Sequence, residues 1–384
     1  MGQSKKKVFV ECSALVTDHL SGVGHVLQAL LQAWPDSDAD SEYELQLLVA
    51  YDQRSKLAAL NLGHSIQTIP LPDKAVRALR KFNLFPPMDI VFGKGTYIFP
   101  NYWNWPTVRS RVITFVYDMG FITHPEFVES RNRRFLASNV ARWVNRSDRV
   151  VTDSLYVKGE IIEQLHVEDK KVMVIYNAAV AEDLSMTRNQ VDGTKGRYGI
   201  TGDYLLFVSN IEPRKNLSRL VAAYRALPPS LTKKYKLILI GADGWGNEQI
   251  LRDITDAQQD GLDIIKVRQF VPDSDLPALY TGATALVHPA LYEGFGMTPL
   301  EAMAYGTPVA VSDIPAVREV VGDAGIYFDA EDTQAMSAKI KLVLEDETLR
   351  KKLSEAGRQR ARQFTWDKSV TKLLQCIEEL ETNV

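Results

Sequence analysis

Two glutamates eight positions apart frame the segment with the most chemistry in the chain, Glu293-Gly294-Phe295-Gly296-Met297-Thr298-Pro299-Leu300-Glu301. It follows a short apolar run, Ala285–Val287, that reads as a strand. With Thr298 as N-cap, Pro299 as first helical residue and Glu301 three positions after the cap, the pattern is a capping box. It predicts a helix over Pro299–Tyr305. The loop Gly294–Met297 then presents backbone N–H groups at a helix N-terminus, where phosphate or another anionic oxygen is favoured. Glu293, ahead of the loop, is free to accept hydrogen bonds from hydroxyls. A capping turn alone would account for Glu301 and the glycines, but it does not require Glu293, Gly294 and Gly296 in front of it.

A second segment also leaves a strand and opens a helix: Phe207-Val208-Ser209-Asn210-Ile211-Glu212-Pro213-Arg214-Lys215-Asn216. Two adjacent cations at a helix start suit a diphosphate, because cations, helix dipole and N–H groups act together. An exposed basic turn with Asn216 as N-cap is the plain alternative. A third segment, Ser21-Gly22-Val23-Gly24-His25, follows the first strand, where glycines allow close approach of a ligand. It is a weak dinucleotide fingerprint: a third glycine is needed at position 27, which is Leu27, although Asp52 could take the place of the ribose-binding acid. A tight turn explains the same residues. The fourth, Phe115-Val116-Tyr117-Asp118-Met119, also ends a strand. Tyr117 can donate a hydrogen bond but, with a reference pKa of about 10, is a poor base at neutral pH. Asp118 either orients its neighbour or binds a hydroxyl, or it is only a turn residue. His124-Pro125-Glu126 reads as turn chemistry.

Elements must hold these turns in place. Apolar, β-rich runs occur at Lys7–Glu11, Leu45–Val49, Val112–Val116, Arg149–Thr152 and Val172–Ile175. A second series lies at Tyr204–Val208, Lys236–Ile240, Ile264–Arg268, Ala285–Val287 and Pro308–Ser312. Amphipathic patterns between them predict helices, among them Val23–Trp34, Asn216–Leu227, Pro299–Tyr305 and Thr333–Glu345. Strands that are apolar throughout and alternate with helices belong to parallel sheets covered on both faces. Ten are too many for one compact α/β unit, so two doubly wound domains are expected. The polar, glycine-bearing stretch Ala181–Gly202 reads as the linker, and Thr365 can cap a final helix over Trp366–Leu380. Ligands of such sheets bind beyond the carboxyl ends of the strands, which is where all four turns fall.

Composition narrows the class. The chain has 384 residues, 45% hydrophobic and 24% charged, with a net charge of -3, so nothing global argues for nucleic acid. Its two cysteines, Cys12 and Cys376, cannot build a disulfide framework, which fits a reducing, cytoplasmic compartment. No run approaches the roughly 18 apolar residues of a membrane span. The start MGQS lacks the Ser or Thr at position 6 that myristoylation requires, where Lys6 stands. Two basic stretches, Lys74, Arg77, Arg80 and Lys81 beside Phe82 and Phe85, and Arg131, Arg133, Arg134, Arg142 and Arg146, are either solvated helix faces or a peripheral contact with an anionic membrane. Asp36, Asp38 and Asp40 read as a polar loop. No His/Cys cluster has zinc spacing, and no metal requirement is expected.

The Glu, seven residues, Glu pattern at 293–301, with Gly-Phe-Gly inside it and Pro-Leu-Glu-Ala-Met-Ala at 299–304, resembles the signature of retaining GT-B glycosyltransferases of family four. The resemblance covers most of the chain and is specific over 204–330. It implies two Rossmann-like domains facing a central cleft: an acceptor-binding domain at 1–185, a donor-binding domain at 199–363, and a C-terminal helix, 364–384, packed back on the first. It implies that Glu293 contacts the donor sugar hydroxyls, that Glu301 binds the nucleotide ribose, and that Arg214 and Lys215 neutralise the diphosphate. Gly22, Gly24, Ser209, Asn210, Gly294, Phe295, Gly296, Met297, Thr298 and Leu300 would line the donor. Tyr117, Asp118 and His25 would lie near the transferred sugar or acceptor. Thr152-Asp153-Ser154, Asn177 and Ile314–Val321 match more weakly.

Two departures stand out: Tyr117 occupies a position that is usually His, and Asn210 one that is often Arg. Asp273-Ser274-Asp275 has the Asp-x-Asp spacing of a metal-binding motif in a different glycosyltransferase class, but helix capping explains it better. The expected partners are a nucleotide-sugar donor, GDP-mannose ahead of UDP- and dTDP-sugars, and a glycan or lipid-linked acceptor, with no organic cofactor. A non-catalytic nucleotide-sugar sensor, a dehydrogenase and a sugar phosphorylase of similar architecture are the rivals. The last should show a pyridoxal-binding lysine context, and none is identifiable.

Overall fold

The computed structural model describes residues 5–18, 20–34, 42–82, 84–179 and 186–382. Asp36, Asp38 and Asp40, and positions 181–185 of the expected linker, lie outside the described residues. The chain forms two compact units, one made of 1–177 and 366–384, the other of 178–365.

The first unit holds a seven-stranded sheet in the order β3-β2-β1-β4-β5-β6-β7. Its strands are β1 (Lys6–Glu11), β2 (Tyr43–Ala50), β3 (Ser65–Ile69), β4 (Thr96–Phe99), β5 (Arg111–Phe115), β6 (Arg149–Thr152) and β7 (Val172–Val174). The second unit holds six strands in the order β10-β9-β8-β11-β12-β13. These are β8 (Asp203–Val208), β9 (Tyr235–Ile240), β10 (Ile264–Lys266), β11 (Ala285–His288), β12 (Val309–Ser312) and β13 (Gly325–Phe328). Every pairing is parallel. Strand order therefore reverses beside β1 in the first sheet and beside β8 in the second, the two switch points where doubly wound sheets place ligands.

Ten strands fall where apolar runs predicted them, and three were not anticipated. β3, SIQTI, is a half-exposed edge strand with polar alternate positions. β4, TYIF, and β13, GIYF, are four residues each and open on Thr and Gly, so neither forms a continuous aliphatic run. The expected linker is also different in part. The helix Arg188–Arg197 occupies it, started by a reciprocal capping box between Thr187 and Gln190. Its low hydrophobicity hid it, because only Val191 and Thr194 are buried. The final helix, Trp366–Thr382, buries Val370, Leu373, Cys376, Ile377 and Leu380 in the same core as β1, β2 and the helix Gly22–Gln32. These positions repeat at helical spacing, one apolar stripe facing the core. Ser369 fixes its start by donating its hydroxyl proton to the Tyr176 carbonyl at 2.6 Å.

Candidate active site

In the second unit the turns after β8 and β11 meet at the carboxyl edge of the sheet. The Leu291 N–H donates to the Arg214 carbonyl at 2.9 Å, and the Thr298 hydroxyl to the Val208 carbonyl at 3.3 Å. Asn216 adopts a left-handed conformation at φ 59°, and its amide donates to the carbonyls of Pro289 and Ala330 at 3.0 and 2.7 Å. It ties three loops together, and its side chain does not cap the helix Leu217–Arg225, as the plain alternative of a capped basic turn would have it.

The Glu293 carboxylate lies at the junction of these turns. Lys215 Nζ donates to Oε1 at 2.5 Å, and Arg214 donates to Oε2 at 2.8 Å. The buried His288, last residue of β11, places Nε2 at 3.2 Å from Oε1. Burial alone would raise the Glu293 carboxyl, but Arg214, Lys215 and His288 outweigh it and hold the group well below the usual carboxylate range. Burial, helped by Arg214, lowers Lys215 in spite of Glu293. Burial likewise lowers His288, which favours the neutral ring. Arg214 is a brace as much as a ligand group. Its Nε and a terminal nitrogen donate to Glu212 at 3.2 and 2.9 Å, while its other terminal nitrogen reaches the Tyr292 carbonyl at 3.0 Å. Glu212 and Glu293 thus balance the two cations, and together they present an ordered, near-neutral set of donors and acceptors.

The capping box expected at 298–301 does not form. The helix runs Met297–Ala304, with Gly296 as a left-handed cap at φ 112° and no side-chain cap. Thr298 and Glu301 are committed elsewhere, so the N–H groups of Met297 and Thr298 keep no acceptor among the described residues. Physically this favours an anion site more than a capped start would, since uncapped N–H groups are what binds phosphate. Glu301 accepts from the Tyr280 hydroxyl at 2.8 Å. Its burial raises the carboxyl to about 7, the Tyr280 bond counters this, and Asp273 adds to it.

Two expected donor contacts do not suit that role by side chain. Leu300 is fully buried in the core, and the buried Phe295 ring packs edge-on against Phe364 with centroids 5.9 Å apart. Ser209 and Gly294 are half-buried at the edge, and Asn210 is exposed. The Ser209 N–H donates to the Ile240 carbonyl at 2.9 Å. This path depends on Gly241, at φ 150°, where a Cβ would sit 1.9 Å from the Ser209 carbonyl oxygen. The sequence reading passed over Gly241, Glu212, Tyr280 and His288. A glycine directly after the β9 run was an available signal for the first. The others gain meaning only from their partners.

In the first unit, the loop after β1 enters the helix Gly22–Gln32, capped by Ser21, whose hydroxyl accepts from the Gly24 N–H at 3.4 Å. A Cβ on Gly24 would meet the Ala14 carbonyl at 2.9 Å, whereas one on Gly22 would enter open space. His25 is in the first turn of this helix. After β5, Asp118 accepts from the Gly120 N–H at 3.0 Å, the turn role. The Tyr117 hydroxyl is buried without a hydrogen-bond partner among the described residues, and burial plus Asp153 raise it well above its ordinary value. Asp153 receives the Asn177 amide at 2.9 Å, and Ser154 caps the helix Leu155–Leu165. Asp52 accepts from the Asp73 N–H at 2.9 Å, so it is engaged at a helix start and not poised for a ribose. Asp275 does not cap its helix either: its carboxylate takes Arg197 and the Tyr198 hydroxyl at 2.7 and 2.6 Å.

A family model described as glycosyl transferases group 1 matches residues 197–360. The chain is 30% identical over 282 residues to the O-antigen chain mannosyltransferase B of Escherichia coli, covering 73% of each chain. The chain belongs to the group 1 glycosyltransferases. Among solved structures, this glycosyltransferase matches one from Rickettsia africae with a TM-score of 0.71 at 16% identity over 100% of both chains. It also matches Anabaena HepE in complex with UDP and glucose, with a TM-score of 0.70 at 16% identity over 99% of this chain and 100% of that one. These neighbours carry the GT-B fold, to which the two Rossmann-like units correspond. Among the described residues no helix is long and apolar enough to cross a membrane.

Proposed function

We propose that the chain is a retaining, metal-independent hexosyltransferase, with mannose the favoured sugar. It would take the sugar from a nucleotide diphosphate, GDP-mannose ahead of UDP- and dTDP-sugars, and transfer it to a hydroxyl of a glycan or lipid-linked acceptor in polysaccharide or glycoconjugate synthesis. The observation that carries this is the Glu293 carboxylate, held ionised by Lys215 and Arg214 beside an uncapped helix N-terminus. The preference for mannose rests on the mannosyltransferase relative.

In this mechanism the second unit binds the donor and the first the acceptor. Glu293 accepts hydrogen bonds from the sugar hydroxyls, and Glu301 from the ribose. Lys215 and the N–H groups of Met297 and Thr298 stabilise the diphosphate as it leaves. The acceptor oxygen forms its bond to the anomeric carbon on the face from which the phosphate oxygen departs. The acceptor proton passes to a donor phosphate oxygen. No protein base is needed, which accords with a buried Tyr117 hydroxyl whose pKa is shifted away from neutrality. Preorganised donors of this kind are each worth roughly 10²–10³ in rate.

The test is a thermal-shift screen against GDP-mannose, UDP-glucose and dTDP-rhamnose, followed by donor hydrolysis and NMR of the product's anomeric configuration with and without chelator. Selective stabilisation by one donor, turnover in chelator and retained configuration are expected. Inversion or chelator sensitivity would refute the mechanism. Selective binding without turnover would instead point to a nucleotide-sugar sensor.

A further inference from the structure

We propose that the amino edge of the first sheet is a docking surface for an anionic lipid bilayer. The strands of this sheet are parallel, so the residues that enter β1, β4 and β5 share one edge, opposite the Gly22 loop and the Tyr117-Asp118 turn. Along that edge runs a groove of about 820 Å³, lined among others by Lys5, Lys7, Lys94, Val108, Arg109 and Arg111. The carboxylates at this groove are already engaged: Asp148 pairs with Arg111 at 2.9 Å, and Glu381 with Lys6 at 2.8 Å. The side chains of Lys7, Lys94 and Arg109 have no carboxylate partner among the described residues, so the groove is left net positive.

Beside the groove is an apolar ridge. Of nine exposed large hydrophobic residues among those described, three are gathered at this edge, Ile90, Val91 and Val108, and two more, Phe82 and Leu84, lie just ahead of them in sequence. Ile90 and Val91 lie on the helix Met88–Phe92. The Asp89 carboxylate accepts from the N–H groups of Val108 and Arg109 at 2.6 to 3.0 Å, which clamps Val108 against that helix. The Met88 N–H donates to the Pro106 carbonyl at 2.9 Å, and Phe85 stacks on Trp105 at 4.1 Å, so the ridge stands on a rigid aromatic base. Contiguous exposed apolar groups mark a contact site, and cations next to them select the partner. Apolar side chains that enter the acyl boundary, with lysine and arginine at headgroup level, match a membrane of anionic phospholipid. A protein partner would meet the same ridge but would not need an excess of unpaired cations beside it.

Several arginines of the two basic stretches singled out from sequence are engaged within the protein. Arg77 pairs with Asp73, and Arg80 turns its guanidinium onto the Trp103 ring at 4.8 Å. Arg133 and Arg134 donate to the backbone carbonyls of Pro125 and Ser130. The proposal does not depend on which sugar is transferred or whether turnover occurs.

The full chain is to be floated with vesicles of phosphatidylcholine alone and of phosphatidylcholine with about one-third phosphatidylglycerol, at about 0.1 M salt. Binding is expected only to the anionic vesicles. Lys94→Glu with Arg109→Glu, and separately Ile90→Glu with Val108→Glu, should each weaken it at least about tenfold. Both pairs should keep the parent melting temperature and turnover on a soluble acceptor. Lys233→Glu with Lys352→Glu, which change net charge equally in the second unit, should leave binding intact. Absence of binding to anionic vesicles, equal binding to neutral ones, or indifference to either pair at the edge would overturn the proposal.

Discussion

Replacing Glu301 with Gln should make the protein more stable above neutral pH while weakening its hold on the donor. Burial raises the Glu301 carboxyl from 4.5 to about 7, a difference of about 2.5 units. At roughly 1.4 kcal/mol per unit, keeping this group ionised in the folded chain costs up to about 3.5 kcal/mol. Partial exposure reduces that to about 1–3 kcal/mol. A carboxyl whose pKa is higher when folded than when unfolded binds its proton more tightly in the folded state. Its contribution is therefore fully present below about pH 4.5 and is lost as pH rises to about 7. Glutamine carries no charge at any pH, and its carbonyl oxygen can still accept from the Tyr280 hydroxyl, which sits 2.8 Å from the carboxylate. At pH 8 the variant should melt roughly 2–12 °C higher, given about 2–4 °C per kcal/mol for a unit of this size. At pH 4.5 the gap should close. Donor affinity should move the other way, with the parent binding more tightly from pH 6 to 8 and the variant showing a flat profile. Paired calorimetric melts and donor titrations at both pH values test this. A variant that melts lower than the parent at pH 8 would refute the argument that Glu301 is held at a cost until a ligand arrives.

Further variants separate the roles of neighbouring groups. Glu293→Gln removes the charge that occupies Lys215 and Arg214, so turnover should fall roughly 10²–10³ while the free nucleoside diphosphate binds at least as tightly, as isothermal titration would show. Tyr117→Phe removes a buried hydroxyl that has no partner among the described residues; melting temperature and kcat should both stay near the parent's, and a large loss of kcat would give Tyr117 a direct part in the reaction. Gly22→Ala adds a methyl group in open space and should leave melting unchanged, whereas Gly24→Ala meets the Ala14 carbonyl at 2.9 Å and should lower it. If Gly22→Ala nevertheless abolishes turnover in a steady-state assay, that loop contacts a ligand.

Much of the donor-binding unit is legible in the sequence because its signals are local. Apolar strands buried on both faces, as in β8 and β11, announce themselves, and the turns that follow carry their own residue types. What the sequence hides is relational. Nothing local says that Asn216 gives its amide to Pro289 and Ala330, because those partners are 73 and 114 positions away. The capping box at 298–301 failed for a similar reason: both of its side chains found better partners across the fold, Val208 and Tyr280. The helix Arg188–Arg197 was missed because a polar helix with two buried residues leaves little periodicity to read.

The return of Trp366–Thr382 to the first unit has a temporal consequence. During synthesis all of the second unit, 178–365, is made before the segment that completes the first core. Until those last residues emerge, β1, β2 and the Gly22–Gln32 helix lack the apolar surface of Val370, Leu373 and Ile377. Domains usually fold in the order of their synthesis, but here the core of the first-made unit cannot close until the segment made after the second unit is at hand.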